Sequence, residues 1–314
     1  MASFRTWHCL LALFLLASAA HGQLSPSFYA ATCPTLELIV RATMIKALLA
    51  ERRMGASLVR LFFHDCFVQG CDGSILLDDV GSFVGEKGAG PNANSVRGYE
   101  VIDQIKANVE LLCPDVVSCA DIVALAARDG TLLLGGPNWA VPLGRRDSTT
   151  ASLSQANSDL PSPASSLNSL ITAFGNKGLS ARDLTALSGA HTIGFARCQN
   201  FRGRIYNDTD IDAAFATLRR GSCPAAQGSG DGSLAPLDVQ TQLAGLRQRL
   251  LREPPRQARP AALGPGALQW WLYSANPALF ASDFVTAMIK MGNISPLTGG
   301  AGQIRANCRV VNSR

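Results

Sequence analysis

The stretch Met54–Asp79, MGASLVRLFFHDCFVQGCDGSILLDD, decides how the rest of the chain is read. Arg60 and His64 stand four residues apart, so a guanidinium and an imidazole share one face of any helix formed there. Beyond Cys66 come Phe67, Val68, Gln69 and Gly70, followed by Cys71 and Asp72. A cation and a base projecting into one space suit proton-transfer chemistry. A helix-end histidine satisfied by ordinary hydrogen bonds reads equally well from this pair alone.

Working outward, apolar residues recur at Leu36, Ile39/Val40, Met44 and Ala47/Leu48, and again at Val101/Ile102, Ile105, Val109 and Leu112. That is the spacing of one buried helix face. Further helices fit Cys119–Arg128 and Leu167–Lys177, and Ser180 with Asp183 three residues on predicts a capping box that opens another through Leu184 and Leu187. Strand-like alternation is scarce. Gly and Pro punctuate the joints at Gly135-Gly136-Pro137, Leu160-Pro161-Ser162-Pro163 and 228–232, which predicts a mostly α protein with long functional loops. His191 follows Leu187-Ser188-Gly189-Ala190 in what reads as an apolar helix, where a lone histidine is more often packed core than ligand.

With 314 residues, 47% of them apolar and 16% charged, the chain can bury a real core, which excludes disordered, collagenous and coiled-coil readings. Residues 1–22 read as a secretory signal peptide: Arg5 precedes an apolar stretch from Cys9 to Ala17, and Ala20 and Gly22 sit at −3 and −1 of a cut before Gln23. No later run reaches the roughly 18 apolar residues of a membrane span. Without the leader's Arg5 the net charge falls from +5 to 27 − 23 = +4, too mild for a nucleic-acid binder. Of nine cysteines Cys9 leaves with the leader, and the remaining eight allow four pairs, which points to an oxidising compartment. His8 and His21 leave as well, so only His64 and His191 remain for imidazole chemistry. There is no His-Glu-x-x-His, no Gly-x-Ser-x-Gly and no phosphate-binding Gly-x-x-x-x-Gly-Lys-Ser/Thr.

Taken with QLSPSFYAATCP, GEKGAGPNANSVRGYEVID, VSCADIVALAARD, GGPNWAVPLGRRDS, LPSP, DLTALSGAHTIG and MGNISPLTGGAGQIRANCRVVN, the opening stretch resembles the secreted plant haem peroxidases, the class III family. The resemblance covers nearly all of residues 23–314 except 242–271. It implies a two-lobed, mostly α haem peroxidase fold with very little β structure, the haem lying between distal and proximal helices. It implies haem b, with His191 as the proximal iron ligand, His64 as the base that takes and returns the peroxide proton, and Arg60 as the cation at the breaking O–O bond. Asn92 matches the residue that fixes the tautomer of the distal imidazole. Phe63 matches the wall of that pocket, and Pro161 lines the access for aromatic donors. Hydrogen peroxide and phenolic molecules are the implied substrates, in the apoplast or cell wall, for a chain acting as a monomer with no nucleic acid or membrane partner.

Asp65, Val68, Gly70, Asp72 and Ser74 mix carboxylates, a hydroxyl and backbone carbonyls in the all-oxygen manner of Ca²⁺. On its own this run reads as a polar turn. With the resemblance it reads as the distal calcium loop, with Glu86 connected through water. A proximal calcium site would use Thr192, Asp238 and Thr241. The resemblance also implies the disulfides Cys33–Cys113, Cys66–Cys71, Cys119–Cys308 and Cys198–Cys223, one of 105 connectivities that eight cysteines allow. Asn207-Asp208-Thr209 is a glycan acceptor sequence, and Asn293-Ile294-Ser295 a weaker one because Pro296 follows.

Residues 242–271 depart from the family. They hold five Arg, one Glu, four Pro and no Asp, Phe or Tyr, where the family carries the aspartate that accepts the other ring proton of the proximal histidine and a further aspartate for the proximal calcium. Two readings stand: a divergent basic loop with a new partner, or a segment translated out of frame or mis-spliced. The abrupt edges and an interval shorter than the family's favour the second. A haem-poor, calcium-stabilised wall protein that binds rather than turns over is then the alternative function.

Overall fold

The computed structural model describes residues 24–209, 211–237, 273 and 275–313. The leader, the segment 242–271 and the proposed ligands Asp238 and Thr241 lie outside the described residues. Helices α1 (Leu36–Ala50), α2 (Met54–Phe67), α3 (Tyr99–Glu110) and α4 (Cys119–Leu133) pack together. After them come α5 (Leu153–Asp159), α6 (Leu167–Asn176), α7 (Ala181–Ser188), α8 (Cys198–Asn207), α9 (Ala213–Arg220) and α10 (Pro277–Gly292). The strands among the described residues are β1 (Phe195–Arg197) and β2 (Leu234–Pro236), paired antiparallel with Ala196 opposite Ala235. The mostly helical expectation holds, and the four disulfides have the expected connectivity.

Helix α4 is the centre. Every residue from Cys119 to Thr131 is buried, and the charged side chains among them, Asp121, Arg128 and Asp129, are paired. Ser118 caps it by accepting from Asp121 N at 3.2 Å. Asp121, wholly buried, accepts from Tyr29 Oη, Gly144 N, Arg145 N and Arg145 Nη1 at 2.7–3.1 Å, so a charge that would be costly alone is fully engaged. Helix α2 lies hard against α4 because Gly55 meets Gly130: a Cβ on Gly130 would come within 2.9 Å of Gly55 O. That approach holds the face carrying Arg60 and His64 on a rigid base.

The predicted boundaries need small corrections. The second predicted helix, α3, stops at Glu110, leaving Leu112 exposed, and the helix from Cys119 runs on past Arg128 to Leu133. The larger correction concerns His191, which does not lie in an α-helix. Helix α7 opens on the predicted capping box, with Asp183 N donating to Ser180 Oγ at 3.2 Å and Ser180 N to Asp183 Oδ2 at 2.9 Å, but it ends at Ser188. Residues Gly189–Thr192 form a tighter 3₁₀ turn. The reason is packing: at Gly189 a Cβ would lie 2.3 Å from the Phe280 ring of α10, so the chain passes too close to that helix for any side chain. Lys290 reaches Asp183 at 2.9 Å and Arg182 reaches Asp283 at 2.8 Å, pinning α10 to α7 beside the turn.

Candidate active site

His64 sits in the last turn of α2, 5% exposed. Its Nδ1 lies 2.6 Å from Asn92 Oδ1, and Asn92 Nδ2 donates to Glu86 O at 2.9 Å, which fixes the amide so that its oxygen faces the ring. An oxygen partner requires the proton on Nδ1 and leaves Nε2 as the acceptor. Arg60 Nε donates to that Nε2 at 3.1 Å, in agreement with the tautomer. Burial, then the Arg60 charge, push the imidazole pKa down to about 3, so His64 is a neutral base. Phe63, half-buried, meets the imidazole edge-on at 5.5 Å and packs against Phe67 and Phe174. Pro161 is partly exposed just after α5.

Arg60 and His191 both keep accessible surface. The Arg60 charge is, after burial, the influence that lowers the His191 pKa, so the two lie within electrostatic reach of each other. No described residue hydrogen-bonds a ring nitrogen of His191. An imidazole whose ring nitrogens have no hydrogen-bond partner among the described residues could serve as the ligand of a haem iron. Thr192 is buried with its hydroxyl donating to Gly189 O.

The loop after His64 gathers the other predicted residues. Asp65 and Ser74 are 0% exposed, Asp72 3% and Glu86 0%. Asp65 Oδ1, Ser74 Oγ and Glu86 Oε2 have no well-formed hydrogen bond, although Ser74 lies close to both Glu86 and Asp72. The carbonyls of Val68 and Gly70 accept none from the described residues. Desolvation holds Asp65 well above the usual carboxylate range and pushes Asp72 to about 6 and Glu86 to about 7. No three His, Cys, Asp or Glu side chains form a ligand cluster among the described residues. Two carboxylates completed by a hydroxyl and carbonyls are instead the hard, mixed-oxygen set that Ca²⁺ takes, and buried orphan oxygens of this kind fit a cation. Glu86 faces Ser74 from outside the loop, while its Oε1 accepts from Ser152 N at 3.2 Å.

Sequence reasoning missed the residues that hold this loop in place. Asp147, buried, accepts from Cys119 N, Ala120 N and Arg305 N at 2.9–3.0 Å. Ser148 N donates to Asp72 O at 2.8 Å, and Cys71 N to Ile294 O at 3.1 Å. Asp147, Ser148 and Arg305 lie inside quoted motifs, but nothing in their spacing told them from solvated surface charges.

A family model described as peroxidase matches residues 40–285. The chain belongs to the peroxidase family. This peroxidase is 55% identical over 319 residues to Peroxidase 70 of Zea mays, covering 99% of each chain. It is 55% identical over 308 residues to Peroxidase 4 of Vitis vinifera, covering 96% of this chain and 95% of that one. To Peroxidase P7 of Brassica rapa subsp. rapa it is 53% identical over 296 residues, 92% of this peroxidase and 100% of the relative. The resemblance to the plant class III peroxidases is thereby established over nearly the whole peroxidase.

Proposed function

We propose that the protein is a secreted class III haem peroxidase that reduces hydrogen peroxide to water while oxidising phenolic donors one electron at a time. The observation that carries this reading is the neutral His64, its tautomer fixed by Asn92 and its Nε2 met by Arg60. His191 would hold the haem b iron, and haem supplies the two-electron reduction of peroxide and the one-electron oxidations that follow. His64 Nε2 accepts the peroxide proton once Arg60 Nε vacates it, and later returns that proton to the departing oxygen. Asn92 Oδ1 stabilises the imidazolium through the Nδ1 proton. Arg60, also hydrogen-bonded to Ser95 O at 2.8 Å and Pro91 O at 2.9 Å, is tethered so that its charge stays beside His64. Phe63 closes one side, and Pro161 stands at the access for phenols.

The loop Asp65–Ser74 would bind calcium through Asp65, Val68, Gly70, Asp72 and Ser74, with Glu86 behind them, fixing the end of α2 that carries His64. Thr192 with Asp238 and Thr241 would form the weaker proximal site. The leader and the four disulfides support export to the cell wall, and exposed Asn207 supports a glycan there. Among the described residues no helix is long and apolar enough to cross a membrane. The chain would act as a monomer without nucleic acid.

The full chain, reconstituted with haem and calcium, is expected to oxidise a methoxyphenol in a peroxide-dependent way. His64→Leu should slow the peroxide reaction by roughly 10²–10⁴-fold. A variant as fast as the parent overturns the assignment.

A second reading has its own support: His191 has no hydrogen-bond partner among the described residues, and 242–271 lacks the family's aspartate. A partner of that kind typically contributes about 10–100-fold to metal affinity or activity. Protein that retains calcium but not haem would favour a calcium-stabilised wall protein acting by binding. Sequencing the transcript across residues 238–275 tests whether the segment is out of frame or mis-spliced.

A further inference from the structure

Arg305 stands beside the acidic loop and has no part in the chemistry above. It is 0% exposed, in the C-terminal segment between the Asp147–Gln303 bridge and the Cys119–Cys308 disulfide. Its Nη2 donates at 2.6 Å to the carbonyl of Gly73, the residue between Asp72 and Ser74. A Cβ on Gly73 would itself come within 2.6 Å of that Nη2, so the guanidinium lies directly against the loop backbone. Its Nε is 3.8 Å from Asp147 Oδ2, beyond hydrogen-bond distance, and neither Nε nor Nη1 has a hydrogen-bond partner. Asp147, Asp65 and Asp72 are the charges that bear on it. Asp65 Oδ1 is likewise without a partner.

A guanidinium keeps its proton in proteins, so this is a fixed positive charge. A buried cation with N–H groups to spare, against a loop whose Asp65 keeps an oxygen to spare, is only half used by the fold as it stands. We propose that Arg305 is a resident counter-ion of the calcium loop: it offsets Asp65 and Asp72 when calcium is absent, keeps the empty loop folded, and thereby lowers the loop's affinity for the ion. The inference rests on the reading of Asp65–Ser74 as a calcium site. The two forms of the loop feel Arg305 with opposite sign. In the empty loop it attracts the carboxylates. In the filled loop it opposes a dication that already satisfies them. Removing the charge therefore harms the empty form more than the filled one, whereas a purely structural arginine would support both alike.

The test compares the full-length haem-reconstituted protein with Arg305→Gln and Arg305→Lys, measuring the calcium dissociation constant by titration and the midpoint of thermal unfolding with and without chelator. Gln should bind calcium about tenfold more tightly than the parent. Its melting temperatures with and without calcium should also lie further apart. Lys, which keeps the charge but not the planar fork, should bind calcium as the parent does while melting lower in both states. Equal affinity in parent and Gln, or weaker binding by Gln, overturns the proposal. So does a Gln variant that cannot fold at saturating calcium, since the filled form is the one predicted to survive. A parent that binds no calcium overturns the calcium reading and the proposal with it.

Discussion

Replacing Asn92 by Ala tests the proton chemistry most directly. The side chain is 2% exposed and makes two buried hydrogen bonds, 2.6 Å to His64 Nδ1 and 2.9 Å to Glu86 O. A bond between neutral partners contributes roughly 0.5–1.5 kcal/mol net, and one to a charged partner about 1.5–3 kcal/mol. In the proposed reaction the imidazole is neutral before peroxide is deprotonated and cationic afterwards, so the bond would strengthen by about 1–1.5 kcal/mol as the proton moves. That increment corresponds to about tenfold in rate. Loss of tautomer control lowers the rate further, because a proton on Nε2 removes the base. Asn92→Ala should therefore slow the bimolecular reaction with peroxide by about ten- to a hundredfold, measured by stopped-flow at the Soret band. Haem uptake and the later phenol steps should change little. The Asn92 bond raises the His64 pKa, so its loss should move the acid limb of the rate to lower pH. Asn92→Asp should do the reverse, because a carboxylate at this position holds the imidazolium. A rate within threefold of the parent, or an acid limb that moves the other way, would refute the reasoning.

Three further outcomes follow from the same geometry. With the His64 pKa at about 3 against an ordinary 6.5, the unfolded chain binds more protons in that window. Stability should thus decline as pH falls from 6.5 towards 3, and the peroxide rate should hold to about pH 4 before dropping, as acid titrations of unfolding and of rate will show. In calcium-depleted protein, buried Asp72 and Glu86 ionise only near 6 and 7, so the folded state binds more protons than the unfolded one above pH 4. Its melting temperature should fall as pH rises from 5 to 8, and calcium should abolish that slope. Gly70→Ala should cost about 2–4 kcal/mol in denaturant unfolding and weaken calcium binding, because φ is +124° and the new Cβ would lie 2.4 Å from Ser295 O.

The helices were legible because their faces bury at regular intervals: Leu36, Val40 and Met44 on α1, and Val101, Ile105 and Val109 on α3, are all buried as the spacing requires. The pairing of Arg60 with His64 was legible for the same reason, since both lie one turn apart on α2. Asn92 reached the imidazole only through the resemblance, because a contact between residues 28 positions apart leaves no periodic trace. The 3₁₀ turn at His191 escaped because it depends on Phe280, far along the chain, crowding Gly189. Arg305 escaped for a related reason. An arginine in a C-terminal loop reads as solvated, and only the fold reveals that it is buried against Gly73 and beside Asp147.

The loop at Asp65–Ser74 is built early in the sequence but finished late. Its Cys71 N–H waits for the Ile294 carbonyl, its Gly73 carbonyl for an arginine 232 residues further on, and α4 for a disulfide spanning 189 residues. During vectorial synthesis on the ribosome, the distal helices therefore emerge long before the strap that locks them. Chains interrupted before Arg305 and Cys308 would leave His64 on an unfastened support, so nonsense lesions that remove those two residues should be as damaging to this enzyme as changes at His64 itself.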